Sequence, residues 1–127
     1  MAGKIKVQQV SVSGVPVVAT AITSGTATYT DAIRNDYADG FAAILVVQTG
    51  AAADLDLSIE ASIDGETFYA PYDSSGTIDT AILTALGVGA ATRYQEITLP
   101  VAPYIRFLLD PDGNGTYSLY FITKERV

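Results

Sequence analysis

The side chains able to do chemistry in this sequence are carboxylates, hydroxyls and phenols. The 127 residues contain no cysteine and no histidine. That removes a thiol nucleophile, thiolate metal sites and a disulfide framework, together with the commonest general base and transition-metal ligand. Paired carboxylates remain, but Asp54, Asp56 and Glu60 recur at even spacing. Such spacing places them on the solvent face of one strand rather than across a cleft. Serine–lysine chemistry needs a lysine buried beside a serine, and the lysines lie near the two ends. In DPDGNG, Asp110, Asp112 and Asn114 have the look of an oxygen-ligand loop and form a weak Ca²⁺ candidate. The glutamate that an EF-hand needs at its twelfth position is here Phe121, and Asp-Pro, Asp-Gly and Asn-Gly are all turn dipeptides. A hairpin turn is the plainer reading. No catalytic residue, metal or cofactor is assigned, and the chain reads as a non-enzyme.

Binding is better served than catalysis. The stretch SIDGETFYAPYDSSG, residues 62–76, joins carboxylates to Phe68, Tyr69 and Tyr72. With Tyr94 and Tyr104, these tyrosines could stack on a sugar, pad the core, or lie in a subunit interface, where tyrosine is enriched. Phe68 is expected in the core. Tyr72 follows Pro71 in a loop, so it is expected to be exposed and to meet a partner. Arg106 shares a face with Tyr104 and Leu108 by alternation, and a surface ion pair with a carboxylate is its expected role.

These residues must be positioned by strands. In LDLSIEASI, Leu55, Leu57, Ile59, Ala61 and Ile63 alternate with polar residues, which predicts a half-buried strand. Asp64-Gly65 is a favoured pair for a tight hairpin, with ETFYA as the returning strand. FAAILVV, from Phe41, suits a strand buried on both faces. RYQEITL and PYIRFLL are strands separated by Pro100 and Pro103, and TYSLYFIT is the last strand. DAIRNDYADG reads as a loop. Ile78, Ala81, Ile82, Ala85 and Leu86 have helical spacing and Gly87 ends the pattern, which predicts a short helix there. The whole is an all-β chain: an antiparallel β-sandwich, jelly-roll-like, in a single domain. Residues 1–22 are expected as an N-terminal arm or edge strands, and residues 23–127 as the sandwich.

The formal charge is −7, and nine carboxylates fall between Asn35 and Thr92 with no lysine or arginine among them. Nucleic-acid affinity comes from clustered basic residues, so neither nucleic acid nor an anionic membrane is an expected partner. The longest apolar run is far short of a membrane span. A hydrophobic content of 49% in so small a domain points to burial against other subunits.

Three segments together carry a resemblance: TSGTATYTDAIRNDYADGFAAILVV with LDLSIEASIDGETFYAPYD, then RYQEITLPVAPYIRFLLD, then GTYSLYFITKERV. Their layout resembles that of small β-sandwich proteins of tailed-bacteriophage particles. The Ser-x-Asp-Gly-x-x-Phe element is Ser62, Asp64, Gly65 and Phe68, and the later strand is Tyr104 to Phe107. Many such proteins are capsid decoration, or cement, proteins. The resemblance implies a non-enzymatic virion protein, made in the host cytoplasm, that bridges neighbouring subunits of the major capsid protein or other virion proteins. A homo-oligomer, as a trimer at a local threefold, suits that role. The partner interface is expected at Lys4, Lys6, Val7, Tyr69, Tyr72 and Asp73. The same elements are also similar to sugar-binding jelly rolls, so a carbohydrate-binding β-sandwich module is the alternative; no sugar-site residue carries over.

Overall fold

Strand alternation decides most of the architecture. The structure, a computed structural model, describes residues 4–18, 20–22, 28–35, 38–48, 55–72, 74–76, 93–111 and 114–125. The strands are β1 (Lys4–Gln9), β2 (Ser11–Val12), β3 (Val15–Pro16), β4 (Thr20–Ile22), β5 (Thr28–Tyr29), β6 (Ile33–Arg34), β7 (Ala38–Gln48), β8 (Leu55–Ser62), β9 (Arg93–Thr98), β10 (Tyr104–Pro111) and β11 (Gly115–Glu125). The first sheet has the order β1-β11-β7-β9, with β4 also paired to β11. In the second, β10 is flanked by β5 and β6 on one side and by β8 on the other. All these pairings are antiparallel. The predicted helix lies outside the described residues, as does Asp73.

The core is the set of inward residues of both sheets. Leu55, Leu57 and Ile59 on β8 are buried with Ile105, Phe107 and Leu109 on β10. From the other sheet come Tyr117, Leu119 and Phe121 on β11, with Ile44 and Val46 on β7. Phe107 meets Phe121 edge-to-face at 5.3 Å between ring centres, tying one sheet to the other. Such a pair adds about 0.5–1.5 kcal/mol beyond the apolar area it buries. Val10 and Val17 also belong to this core. The backbone between them is pinned to Leu119, which receives a bond from Val10 N–H and donates its own to Val17.

Several local expectations are corrected. FAAILVV is buried on both faces only at Ala42 and Ala43: beyond them Ile44 and Val46 face the core, while Leu45 and Val47, on the outward side, are half-buried. Ile63 does not continue the β8 stripe. It is 81% exposed, whereas Ser62 is buried. The strand has run past the sandwich there, and Ser62 is covered instead by the loop that follows it. DAIRNDYADG is not one loop, because Ile33–Arg34 pairs with β10 and β7 already starts at Ala38. Asn35 fixes that crossing: its side-chain amide donates to the carbonyls of Pro100 and Ala102, and its backbone N–H to Pro103.

The tight two-residue hairpin is elsewhere than expected. Ser13 and Gly14 link β2 to β3, both with positive φ (51° and 79°). That is the conformation of a primed turn. The cost of placing a serine there is offset by Asp31, whose carboxylate accepts Ser13 N–H, Gly14 N–H and the Ser11 hydroxyl. At Asp64-Gly65 only the glycine has positive φ (80°). The returning strand there reduces to a single bridge, Ala61 to Tyr69, with both backbone bonds at 2.9 Å.

Candidate binding surfaces

The first sheet has an unusual edge strand. Pairing opposite Thr123 and Phe121, which are buried, puts Lys6 and Gln8 on the core-facing side of β1. Ile5 and Val7 therefore point outward, 62% and 61% exposed. An edge strand packed only for its own core would have the opposite polarity. The outward face continues apolar across the sheet. Val7, Ile122 and Ala43 lie in one row that ends at Glu96, and Gln9, Tyr120, Leu45 and Tyr94 lie in the next. Tyr94 is 59% exposed. A shallow groove of about 210 Å³ runs over Ala43, between Ile5 and Ile122 on one side and Tyr94 and Glu96 on the other. Exposed apolar residues together with tyrosine are the composition that protein interfaces favour.

The second sheet presents a polar and aromatic outward face. Arg106 lies at its centre, directly across from Glu60. Its Nε and Nη2 both reach Glu60 Oε1 at 2.7 Å. The guanidinium lies over the ring of Tyr29 at 3.9 Å and over that of Phe68 at 4.3 Å. Phe68 is thus not a core residue; it is half-buried, stacked on an arginine on the outside of the sheet. One row away, Arg34 lies over the Tyr104 ring and donates to its hydroxyl. Sequence reasoning placed Arg106 on this face and expected a carboxylate partner, without identifying it as Glu60. It missed the two rings, because the contact joins residues far apart in the chain and no local pattern marks it.

The loop 63–67 folds back over this face. Ser62 Oγ accepts the N–H groups of Asp64 and Gly65, and donates to Asp64 Oδ1. Asp64 Oδ1 accepts from Glu66 and Thr67. These bonds, led by the Thr67 N–H, hold the Asp64 carboxyl below its ordinary 3.8. Gly65 lies against the Tyr104 ring, 3.4 Å from where a Cβ would sit.

The expected interface residues fall into two groups. Lys4, Lys6 and Val7 lie on β1 of the first sheet, and of these only Val7 joins the outward apolar face. Tyr69 borders the second sheet, bridged to Ala61 on β8, and Tyr72 follows three residues later; they are 64% and 63% exposed. The two groups are on different sheets and form no single patch. Of the weak Ca²⁺ candidates, Asp110 is exposed at the end of β10 opposite Asp56, Asn114 is exposed before β11, and Asp112 lies outside the described residues. No three acidic side chains converge among the described residues.

No family model matches this chain, and no curated protein does. Among solved structures it is similar to the C-terminal CBM6 of LamC, a marine laminarinase from Zobellia galactanivorans. That match covers 97% of this chain and 93% of the other, at 17% sequence identity and a TM-score of 0.48. At those values it assigns neither family nor function. The antiparallel β-sandwich stands on the strand pairing itself. No helix among the described residues is long and apolar enough to cross a membrane.

Proposed function

We propose that this chain is a non-enzymatic structural protein that works inside a larger protein assembly, as a capsid decoration protein does on a phage particle. The carrying observation is the outward placement of Ile5 and Val7 on β1, with an apolar face running from them to Tyr94. Ile5 and Val7 are already partly covered, so burying what remains of them contributes about 2–4 kcal/mol of favourable transfer, which an isolated monomer forgoes. A bridging protein also needs a second contact surface, and the exposed Tyr69 and Tyr72 supply one on the other sheet. The phage setting rests on the resemblance of the sequence segments to virion β-sandwich proteins. The test is co-sedimentation of the purified chain with capsids of the particle whose genome encodes it. Saturable binding that falls in the Tyr72→Ala variant, with an unchanged melting curve, is the expected result. No binding at any ionic strength would remove the capsid reading.

A carbohydrate-binding module is the second reading. It is favoured by Tyr69 and Tyr72, two exposed rings flanking Pro71, which present apolar faces with hydroxyl tips. A glycan array separates the two readings, since the assembly reading expects no glycan to compete with capsid binding.

A further inference from the structure

We propose that the immediate occupant of the first sheet's outward face is a second copy of this chain, packed face to face. This rests on the reading of that face as protein-facing and names its partner. Three observations select the copy. First, the β1 edge is closed to strand addition, because Lys4 and Lys6 point to the core-facing side of an edge strand, a placement that opposes edge-to-edge pairing. The occupant must therefore lie on the face. Second, the described outward face carries one acid, Glu96 on β9, and one base, Lys124 on β11. A strongly charged partner finds no complement there, whereas a surface with one charge of each sign is its own complement. Third, the groove over Ala43 and the exposed Tyr94 ring at its rim supply a hollow and a projection on the same face. An isologous interface needs both on one surface.

Charge also chooses the symmetry axis. A twofold axis across the strands would stack β9 on β9 and set Glu96 against Glu96 of the second copy. A twofold axis along the strands stacks β1 over β9 and β11 over β7. That brings Lys124 of each copy towards Glu96 of the other and covers Ile5 and Val7 twice. The strand axes of the two sheets are then aligned, as in aligned sheet packing, with each stacked pair running antiparallel. The unit that joins the assembly is on this account a dimer rather than the trimer expected from the sequence, and it presents Tyr69 and Tyr72 on both outer sides.

The experiment is sedimentation equilibrium of the full chain over a wide concentration range, with three variants. Wild type should fit a monomer–dimer equilibrium. Val7→Glu should be monomeric, and its melting curve should match that of wild type at dilutions where wild type is itself monomeric, because Val7 is not among the core residues. Lys124→Glu should weaken the dimer by about tenfold or more, since it turns an attraction into a repulsion twice over. The combined Lys124→Glu and Glu96→Lys variant should recover wild-type affinity. A chain that stays monomeric throughout, or a dimer indifferent to both Val7→Glu and Lys124→Glu, overturns the proposal. Capsid co-sedimentation, measured separately, distinguishes that failure from failure of the assembly reading: a monomer that still binds capsids refutes only the dimer.

Discussion

Replacing Arg106 by alanine should be the most costly single change outside the core. The side chain makes two charge-assisted bonds to one oxygen of Glu60 and stacks on two rings. The pair is not fully buried, with side-chain exposures of 24% and 18%, so water screens part of its attraction. Discounting for that, the ion pair contributes about 1 kcal/mol, above the median for exposed pairs. Each stacked ring adds about 0.5–1 kcal/mol at this exposure. The sum is about 2–3 kcal/mol, a large share of the marginal stability of a small domain. Urea unfolding followed by tyrosine fluorescence should show the midpoint fall with an unchanged slope. Arg106→Lys is the discriminating variant. It keeps the charge but loses the planar fork and the stacking, so it should recover only about a third to a half of the loss. A double-mutant cycle with Glu60→Gln isolates the ion pair, and its coupling energy should be about 1 kcal/mol. If Arg106→Lys matches wild type, or Arg106→Ala costs less than about 0.5 kcal/mol, the guanidinium is a surface ornament and the account of this face is wrong.

Other expectations follow from single residues. Asp31 is held below its ordinary 3.8 by the Ser11 hydroxyl first, then by the Gly14 N–H, with burial opposing and the Ser13 N–H adding the least. Its stabilisation is therefore present above pH 3.8 and fades as the pH falls through the lower folded value. Asp31→Asn should cost about 1–2 kcal/mol at neutral pH, and the gap to wild type should close in acid; a gap that persists undiminished at about pH 2 counts against this linkage. Gly115→Ala would drive a Cβ into the hydroxyl of the fully buried Tyr117, and thermal melts should show a loss of about 1–3 kcal/mol. Gly65→Ala must adopt a positive φ beside the Tyr104 ring and should cost about 1 kcal/mol or more in the same assay. Ile5→Glu, by contrast, should leave monomer stability within about 0.5 kcal/mol, because the side chain points away from the core.

What could be read in advance was what depends on near neighbours. The alternation of Leu55, Leu57 and Ile59, and of Tyr117, Leu119 and Phe121, puts those side chains on one face whatever surrounds them, and all six are buried. The antiparallel sandwich follows from such runs. The phase of Ile63 was not legible, because burial at a strand end depends on where the facing sheet stops. Nor was the placement of the tight hairpin. Asp64-Gly65 is the better local turn pair, but Ser13-Gly14 is held in its turn by Asp31, a residue outside the turn. The polarity of KIKVQQ is the sharpest case. Its alternation is visible, but which half faces inward is decided by its register with a strand more than a hundred residues later. Alternation alone already separates Lys4 and Lys6 from Val7, so they were never one surface; the register adds that Val7 is on the outward side.

The pairing of β1 with β11 joins the first described strand to the last. Its register sets Lys4 opposite Glu125, so the loop to be closed spans nearly the whole chain. During synthesis β1 emerges long before β11, its one sheet neighbour among the described residues. For all that interval Ile5 and Val7 are exposed on an unpaired strand, the condition in which chains most readily join one another. Lys4 and Lys6 interrupt that segment as charged gatekeepers while it waits. The two lysines thus act on the nascent chain before there is an edge to guard, and β1 joins the five-stranded first sheet only once β11 has been made.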